Sequence, residues 1–162
     1  GVTSKEHLGI YGGSNGGLLV GAVATQRPEL YKAVMSQVPL LDMVHFDKLL
    51  IASRWKNEYG DPAKKLDFNR ILAWSPYHNI KVDTQYPALY LATAENDTRV
   101  HPMHALKMTA KLQDSDTKQP VFLWVERGAG HMNAMRKTKA IENVSRRMSF
   151  FGEQLGLHPV DS

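Results

Sequence analysis

The chain has 162 residues, of which 43% are hydrophobic and 22% charged, with a net charge of +4 and no cysteine. That length suits one globular domain, residues 1–162, with a core of its own. The missing cysteines exclude disulfides, thiolate catalysis and zinc ribbons, and they leave the compartment open, with the cytoplasm favoured. No stretch approaches the ~18 consecutive apolar residues that span a membrane, and the opening GVTSKEHLGI lacks the basic start and long apolar run of a signal peptide.

Taken in chain order, HLGIYG predicts a short buried strand. Leu18, Leu19, Ala22 and Val23 then follow helical spacing, and Arg27-Pro28 ends that helix. YKAVMSQVP predicts a second strand, stopped by Pro39. A long excursion from about Leu40 to Tyr86 mixes helical stretches with turn signals at GDP and SPYHN. PALYLATAE is a continuous apolar run of the kind found inside a parallel sheet. His101-Pro102 opens a helix through MHALKMTAKLQ, and PVFLWVE predicts a fourth strand. The last helix carries one apolar stripe of Ile141, Val144, Met148, Phe151 and Leu155. Arg136, Lys137, Lys139, Arg146 and Arg147 form the densest basic patch, which reads as a solvated helix face and not as a nucleic-acid site.

Strands alternating with helices predict an α/β fold with a parallel sheet of about four strands. Ligands of such sheets bind at the carboxyl ends of the strands. The loops to inspect are therefore GGSNGG, PLLDM, ENDTRV and RGAGHM.

Gly12-Gly13-Ser14-Asn15-Gly16 fits G-x-S-x-G at a strand-to-helix junction. Lifting a serine clear of a sheet takes a sharp, strained turn whose neighbours lack side chains. The serine then sits at a helix N-terminus, where the N–H of Asn15 is the expected donor to a developing oxyanion. A phosphate-binding glycine loop is the weaker alternative, since no Lys-Ser/Thr follows and G-x-G-x-x-G is absent. A purely structural glycine turn also stays open.

Asp97 follows the strongest strand directly, where a carboxylate can orient a histidine. It can equally cap the helix that begins near Pro102, and Glu95 is a rival acid nearer the strand end. His131 follows the fourth strand, with Gly128 and Gly130 before it allowing a tight approach, and is placed to take a serine proton and return it to a leaving group. Seven histidines are present, and order singles this one out: Ser14, Asp97, His131 is the order of α/β-hydrolases. His101 and His104, with Glu95 nearby, form an H-x-x-H pair, but no third ligand has suitable spacing, so no metal site is expected.

GGSNGGLLVGAVATQRPELY, WKNEYGDP, SPYHNIK, ENDTRVHPMHALKM and GAGH, in that order over nearly the whole chain, resemble the C-terminal part of the prolyl oligopeptidase family of serine peptidases. The resemblance implies an α/β-hydrolase catalytic domain, represented by its C-terminal portion only, with the family's N-terminal β-propeller absent. It implies Ser14 as nucleophile, Asp97 as orienting acid, His131 as base and Asn15 as one oxyanion donor. Trp55 matches a tryptophan that stacks on a substrate proline, Tyr59 a tyrosine lining the same pocket, and Arg99 an arginine that holds a substrate carbonyl. An indole face suits a flat pyrrolidine ring, and ordinary core packing is the alternative for Trp55 and Tyr59. A surface ion pair with Glu95 or Asp97 is the alternative for Arg99.

The expected function is hydrolysis of short peptides after proline through an acyl-enzyme, with no cofactor. Two departures widen the specificity. Pro39-Leu40 stands where proline-specific members have a smaller, more flexible pair, and HMNAM replaces a glycine-rich sequence; basic-residue-specific oligopeptidases share this architecture. A second oxyanion contact comes, in the family, from a tyrosine upstream of this chain, so the isolated chain is expected to be weakly active or inactive. The expected partners are the peptide substrate and, to cover the edge of the first strand, the upstream part of the same enzyme or a second copy. An esterase-like hydrolase and a non-catalytic assembly fragment are the competing readings. No nucleic acid or membrane partner is expected.

Overall fold

The computed structural model describes residues 1–131 and 137–157. Four strands, β1 (Gly9–Gly13), β2 (Ala33–Gln37), β3 (Ala88–Ala94) and β4 (Val121–Glu126), form one sheet in the order β1-β2-β3-β4 with every pairing parallel. The helices are α1 (Asn15–Gln26), α2 (Lys56–Tyr59), α3 (Lys65–Trp74), α4 (Met103–Gln113) and α5 (Lys137–Leu155). The predicted strands and the helices that follow them are in place, and each strand leads to a loop at the same end of the sheet. That end gathers Ser14, Asp97 and His131 from three loops far apart in the chain.

The pleat sorts side chains by parity. Val34, Leu89 and Leu91 point to the face covered by α1 and α4, where they pack with Val20, Ala105, Met108 and Leu112. Ala33, Met35, Ala88 and Ala92 point the other way, toward Phe150 of α5. Covering both faces explains why β3 is apolar along most of its length, with Thr93 as its polar exception. Each fully buried Leu or Val there contributes roughly 1.5–3 kcal/mol. A third cluster, built from Leu18, Leu40, Met43, Phe46, Ile71 and Val100, seats the excursion at the carboxyl end of the strands.

Two expectations change. The stripe on α5 is not a continuous buried face: Ile141 is 66% exposed and Met148 55%, and only Phe150, Phe151 and Leu155 at the end of the helix pack on the sheet. The apolar period marks the face correctly, but among the described residues the apolar packing of α5 on the sheet is confined to its last turns. The basic residues of that helix are also engaged. Arg146 stacks on Trp124 at 3.9 Å, Arg147 on Tyr11 at 4.7 Å, and Lys139 pairs with Glu126 at 2.8 Å. Arg136 and the HMNAM segment beyond His131 lie outside the described residues.

Candidate active site

Ser14 stands at the junction of β1 and α1 with φ 55° and ψ −117°, a left-handed-side conformation that a non-glycine residue takes only when its surroundings impose it. Its N–H donates to Gln37 O at 2.8 Å, and its carbonyl accepts from Leu18 N at 3.1 Å, so the turn is held from both sides. The four glycines around it are not equivalent. A Cβ on Gly12 would lie 2.1 Å from the Gly16 carbonyl oxygen, and one on Gly17 would lie 2.8 Å from Pro39 Cβ. Gly16 has open space instead, and Gly13 meets only Gln37 O at 3.8 Å. The turn therefore requires bare backbone at two positions, not at four.

The hydroxyl of Ser14 lies 3.0 Å from His131 Nε2, and His131 Nδ1 lies 2.7 Å from Asp97 Oδ2. The Asp97 side chain is fully buried and that of His131 is 8% exposed. Asp97 performs both tasks weighed for it, one with each oxygen. Oδ1 accepts the N–H groups of Arg99 and Val100, both at 2.9 Å, and Oδ2 faces the imidazole. It caps its own loop and not α4, whose first N–H donors receive no side-chain cap except the bond from Met103 N to His101 Nδ1. Glu95, the rival acid, is exposed and bonds to the backbone of the histidine loop.

Asn15 opens α1, so its N–H has no acceptor within the helix and is free for a ligand oxygen. Its side chain receives the Tyr59 hydroxyl at 2.8 Å on Oδ1 and donates from Nδ2 to Glu58 at 3.3 Å. Beside it opens a cleft of about 150 Å³ lined by Ser14, Asn15, Leu40, Trp55, Tyr59 and Arg99, with Glu58 on its wall. The structure thus brings all seven sequence-derived site residues to one place. Tyr59 also meets Phe46 edge-on at 5.5 Å, so the packing alternative and the pocket position hold together. Burial and the nearby Glu58 carboxylate push the Tyr59 phenol up to about 12, which keeps it a neutral donor. No ion pair joins Arg99 to Glu95 or Asp97 among the described residues. A larger hollow, about 250 Å³, lies under α5 and shares no lining residue with this cleft.

Sequence reasoning missed Glu58 and the network behind Leu40. Buried His104 accepts the N–H groups of Leu41 and Asp42 on Nδ1, at 3.2 and 3.0 Å, and so holds the loop that brings Leu40 to the cleft. Burial drives its imidazole down to about 4, so it is neutral there. Asp42 is equally buried. Burial raises its carboxyl, but hydrogen bonds from Lys107 and His45 outweigh this and leave it below the usual carboxylate range. Asp42, His45 and His78 bring ligand atoms within 4.8 Å of one another. With Lys107 already on Asp42, the cluster reads as an ion network that braces this loop. His104 takes part in loop bracing and not in a pair with His101. Helical spacing marks His104 only as a residue on the inner side of α4; the N–H groups that donate to it come from a loop over sixty positions away.

Compared with known proteins, residues 1–158 match the model of the prolyl oligopeptidase family. The chain is 39% identical over 158 residues to prolyl oligopeptidase ophP of Omphalotus olearius, covering 95% of this chain and 21% of that protein. Among solved structures, one from a study of two prolyl endopeptidases superposes with a TM-score of 0.94 at 46% identity, covering 96% of this chain and 23% of the other. A post-proline cleaving enzyme from Rickettsia typhi gives a TM-score of 0.92 at 34% identity, covering 96% and 22%. The chain spans little more than a fifth of the length of these relatives. The matching fold is the C-terminal part of a catalytic α/β-hydrolase domain.

Proposed function

The chain belongs to the prolyl oligopeptidase family, and from that premise we propose that it carries the catalytic centre of a serine oligopeptidase cleaving short peptides after proline. The observation that carries the proposal is the unbroken line from Ser14 Oγ through His131 to the buried Asp97, set at the rim of an aromatic cleft. In this reading His131 Nε2 takes the Ser14 proton as Oγ attacks the scissile carbonyl. The Asn15 N–H receives the oxyanion. The amine leaves with the proton from His131, and water releases the acyl group by the same path. Asp97 holds the Nδ1–H tautomer and stabilises the imidazolium. Trp55 and Tyr59 form the walls for the proline ring, and Arg99 binds a substrate carbonyl by charge-assisted bonds.

This chain offers one oxyanion donor in that scheme. The second, by the resemblance, comes from a tyrosine upstream, and its loss costs on the order of 10²–10³ in rate. β1 lies at an edge of the sheet among the described residues, and in this reading that edge receives strands from the upstream part of the enzyme. A second reading, cleavage after basic residues, draws on Glu58, whose carboxylate lines the same cleft. Paired fluorogenic substrates, a proline amide, an arginine amide and an ester, test the proposal. Release from the proline amide that disappears in Ser14→Ala supports it. Preference for the arginine amide supports the second reading, and turnover of the ester alone contradicts both.

A further inference from the structure

The loop that carries His131 begins at the peptide group joining Arg127 to Gly128. The C=O of Arg127 and the N–H of Gly128 belong to one planar unit, and each end of that unit is held by a side chain of opposite charge. Glu95 Oε2 accepts the Gly128 N–H at 3.1 Å, and Lys139 Nζ of α5 donates to the Arg127 carbonyl at 3.1 Å. Both charges lie along the peptide dipole in its favourable sense, negative at the N–H and positive at the C=O, so each bond is charge-assisted. Lys139 is itself fixed by Glu126 at 2.8 Å, at the buried end of β4.

Two backbone bonds continue the same seam. Glu95 N donates to Glu126 O at 2.9 Å, and Asn96 N donates to Ala129 O at 3.0 Å. Gly128 adopts φ 65°, a conformation that the following turn needs and that free backbone leaves readily. Three residues beyond it stands His131, and two residues beyond Glu95 stands Asp97. The seam therefore sets the distance between the two loops that the 2.7 Å bond from His131 to Asp97 must span.

From this geometry we propose that Glu95 and Lys139 are positioning residues. They clamp the Arg127–Gly128 peptide from its two ends and so hold His131 in register with Asp97 and Ser14. The proposal rests on the reading of His131 as the base of the reaction. Neither residue reaches the reacting atoms, and each acts through the loop.

The test compares the wild-type chain with Glu95→Ala, Glu95→Gln and Lys139→Met. The first readout is the tautomer of the His131 ring from long-range ¹H–¹⁵N spectra. The second is the rate at which Ser14 reacts with a fluorophosphonate. A wild-type ring held as the Nδ1–H tautomer is expected to become averaged in Glu95→Ala and to be restored in Glu95→Gln, whose amide oxygen still accepts the Gly128 N–H. Labelling is expected to slow by about 10-fold in Glu95→Ala, short of the ~10²-fold that an ångström of misplacement costs, and to recover in Glu95→Gln. Lys139→Met is expected to fall between the two. The thermal midpoint of Glu95→Ala, which bears on an exposed contact, stays close to wild type; a purely structural role would lower it and leave the tautomer unchanged. An unchanged tautomer in Glu95→Ala overturns the clamp whether or not the serine labels. A wild-type chain that takes no label, with the tautomer still dependent on Glu95, overturns the reaction and keeps the clamp.

Discussion

The catalytic line and the cleft beside it are built differently. Ser14, Asp97 and His131 follow β1, β3 and β4 at one end of a single sheet, and Asp97 and His131 are almost fully removed from solvent. The turn at Ser14 is imposed by backbone contacts at Gly12 and Gly17, which leave no space for a side chain. Much of the cleft wall, including Trp55, Glu58 and Tyr59, comes instead from the excursion after β2. Trp55 and Tyr59 stand on short helical turns, Glu58 and Arg99 are exposed, and Asn15 is held by hydrogen bonds at the surface. Under the proposed function, reaction geometry is fixed by the sheet, while substrate choice rests largely on Trp55 and Tyr59, on a segment that can vary without disturbing it.

The difference makes unequal predictions. Asp97→Asn breaks the rigid side, since the amide presents the wrong partner to His131 Nδ1–H. Reaction of Ser14 should fall on the order of 10⁴-fold, with the fold retained by circular dichroism. Gly12→Ala should abolish the same reaction by displacing the start of α1, because its methyl meets backbone at 2.1 Å; loss of labelling with a lowered thermal midpoint is the expected result.

The loop behind the cleft answers to pH. His104 is neutral when folded, at about 4, against 6.5 for the free side chain. Between those values the unfolded chain binds the extra proton, so stability is full above pH 6.5 and falls as pH drops toward 4. The total loss is about 3 kcal/mol. Urea midpoints measured from pH 7 to pH 4.5 should show this slope in the wild type and a flatter one in His104→Gln; equal slopes would contradict it.

Changes to the cleft wall should be smaller and of another kind. Trp55→Ala and Arg99→Lys should raise KM about 10-fold with less change in kcat, as expected where binding is shared by ground and transition states. Tyr59→Phe removes one hydrogen bond from Asn15 and should cost roughly 1 kcal/mol, a several-fold fall in kcat/KM on a proline amide. If Tyr59→Phe cost as much as Asp97→Asn, the division between a rigid line and an adjustable wall would fail.

Much of the rigid side is legible in the sequence for physical reasons. A strand buried on both faces is largely apolar, as Ala88–Ala94 is apart from Thr93, and a serine on a strained turn needs small neighbours. The order of the strands in the sheet is not legible, because parity and period carry no information about which strand lies beside which. The α5 stripe misleads for a related reason: Ile141 and Met148 have the right period, but nothing in the described residues covers them. The bond of Asp97 Oδ2 to His131, the brace of His104 on Leu41, and the bonds of Glu95 and Lys139 to one peptide group all join separate segments of the chain. Only the folded chain brings them together. Residue chemistry alone does not single out Trp55, Tyr59 and Arg99, which stand on irregular segments with no periodic pattern to mark them; only the family resemblance does.

The central claim is that Ser14 is activated by His131 within this chain. Its most direct test is reaction with a fluorophosphonate, read by intact mass, with Ser14→Ala as control. The account predicts one adduct on the wild type and none on the variant. A wild-type chain that is folded by circular dichroism and takes no adduct, or a variant that labels equally, would contradict it.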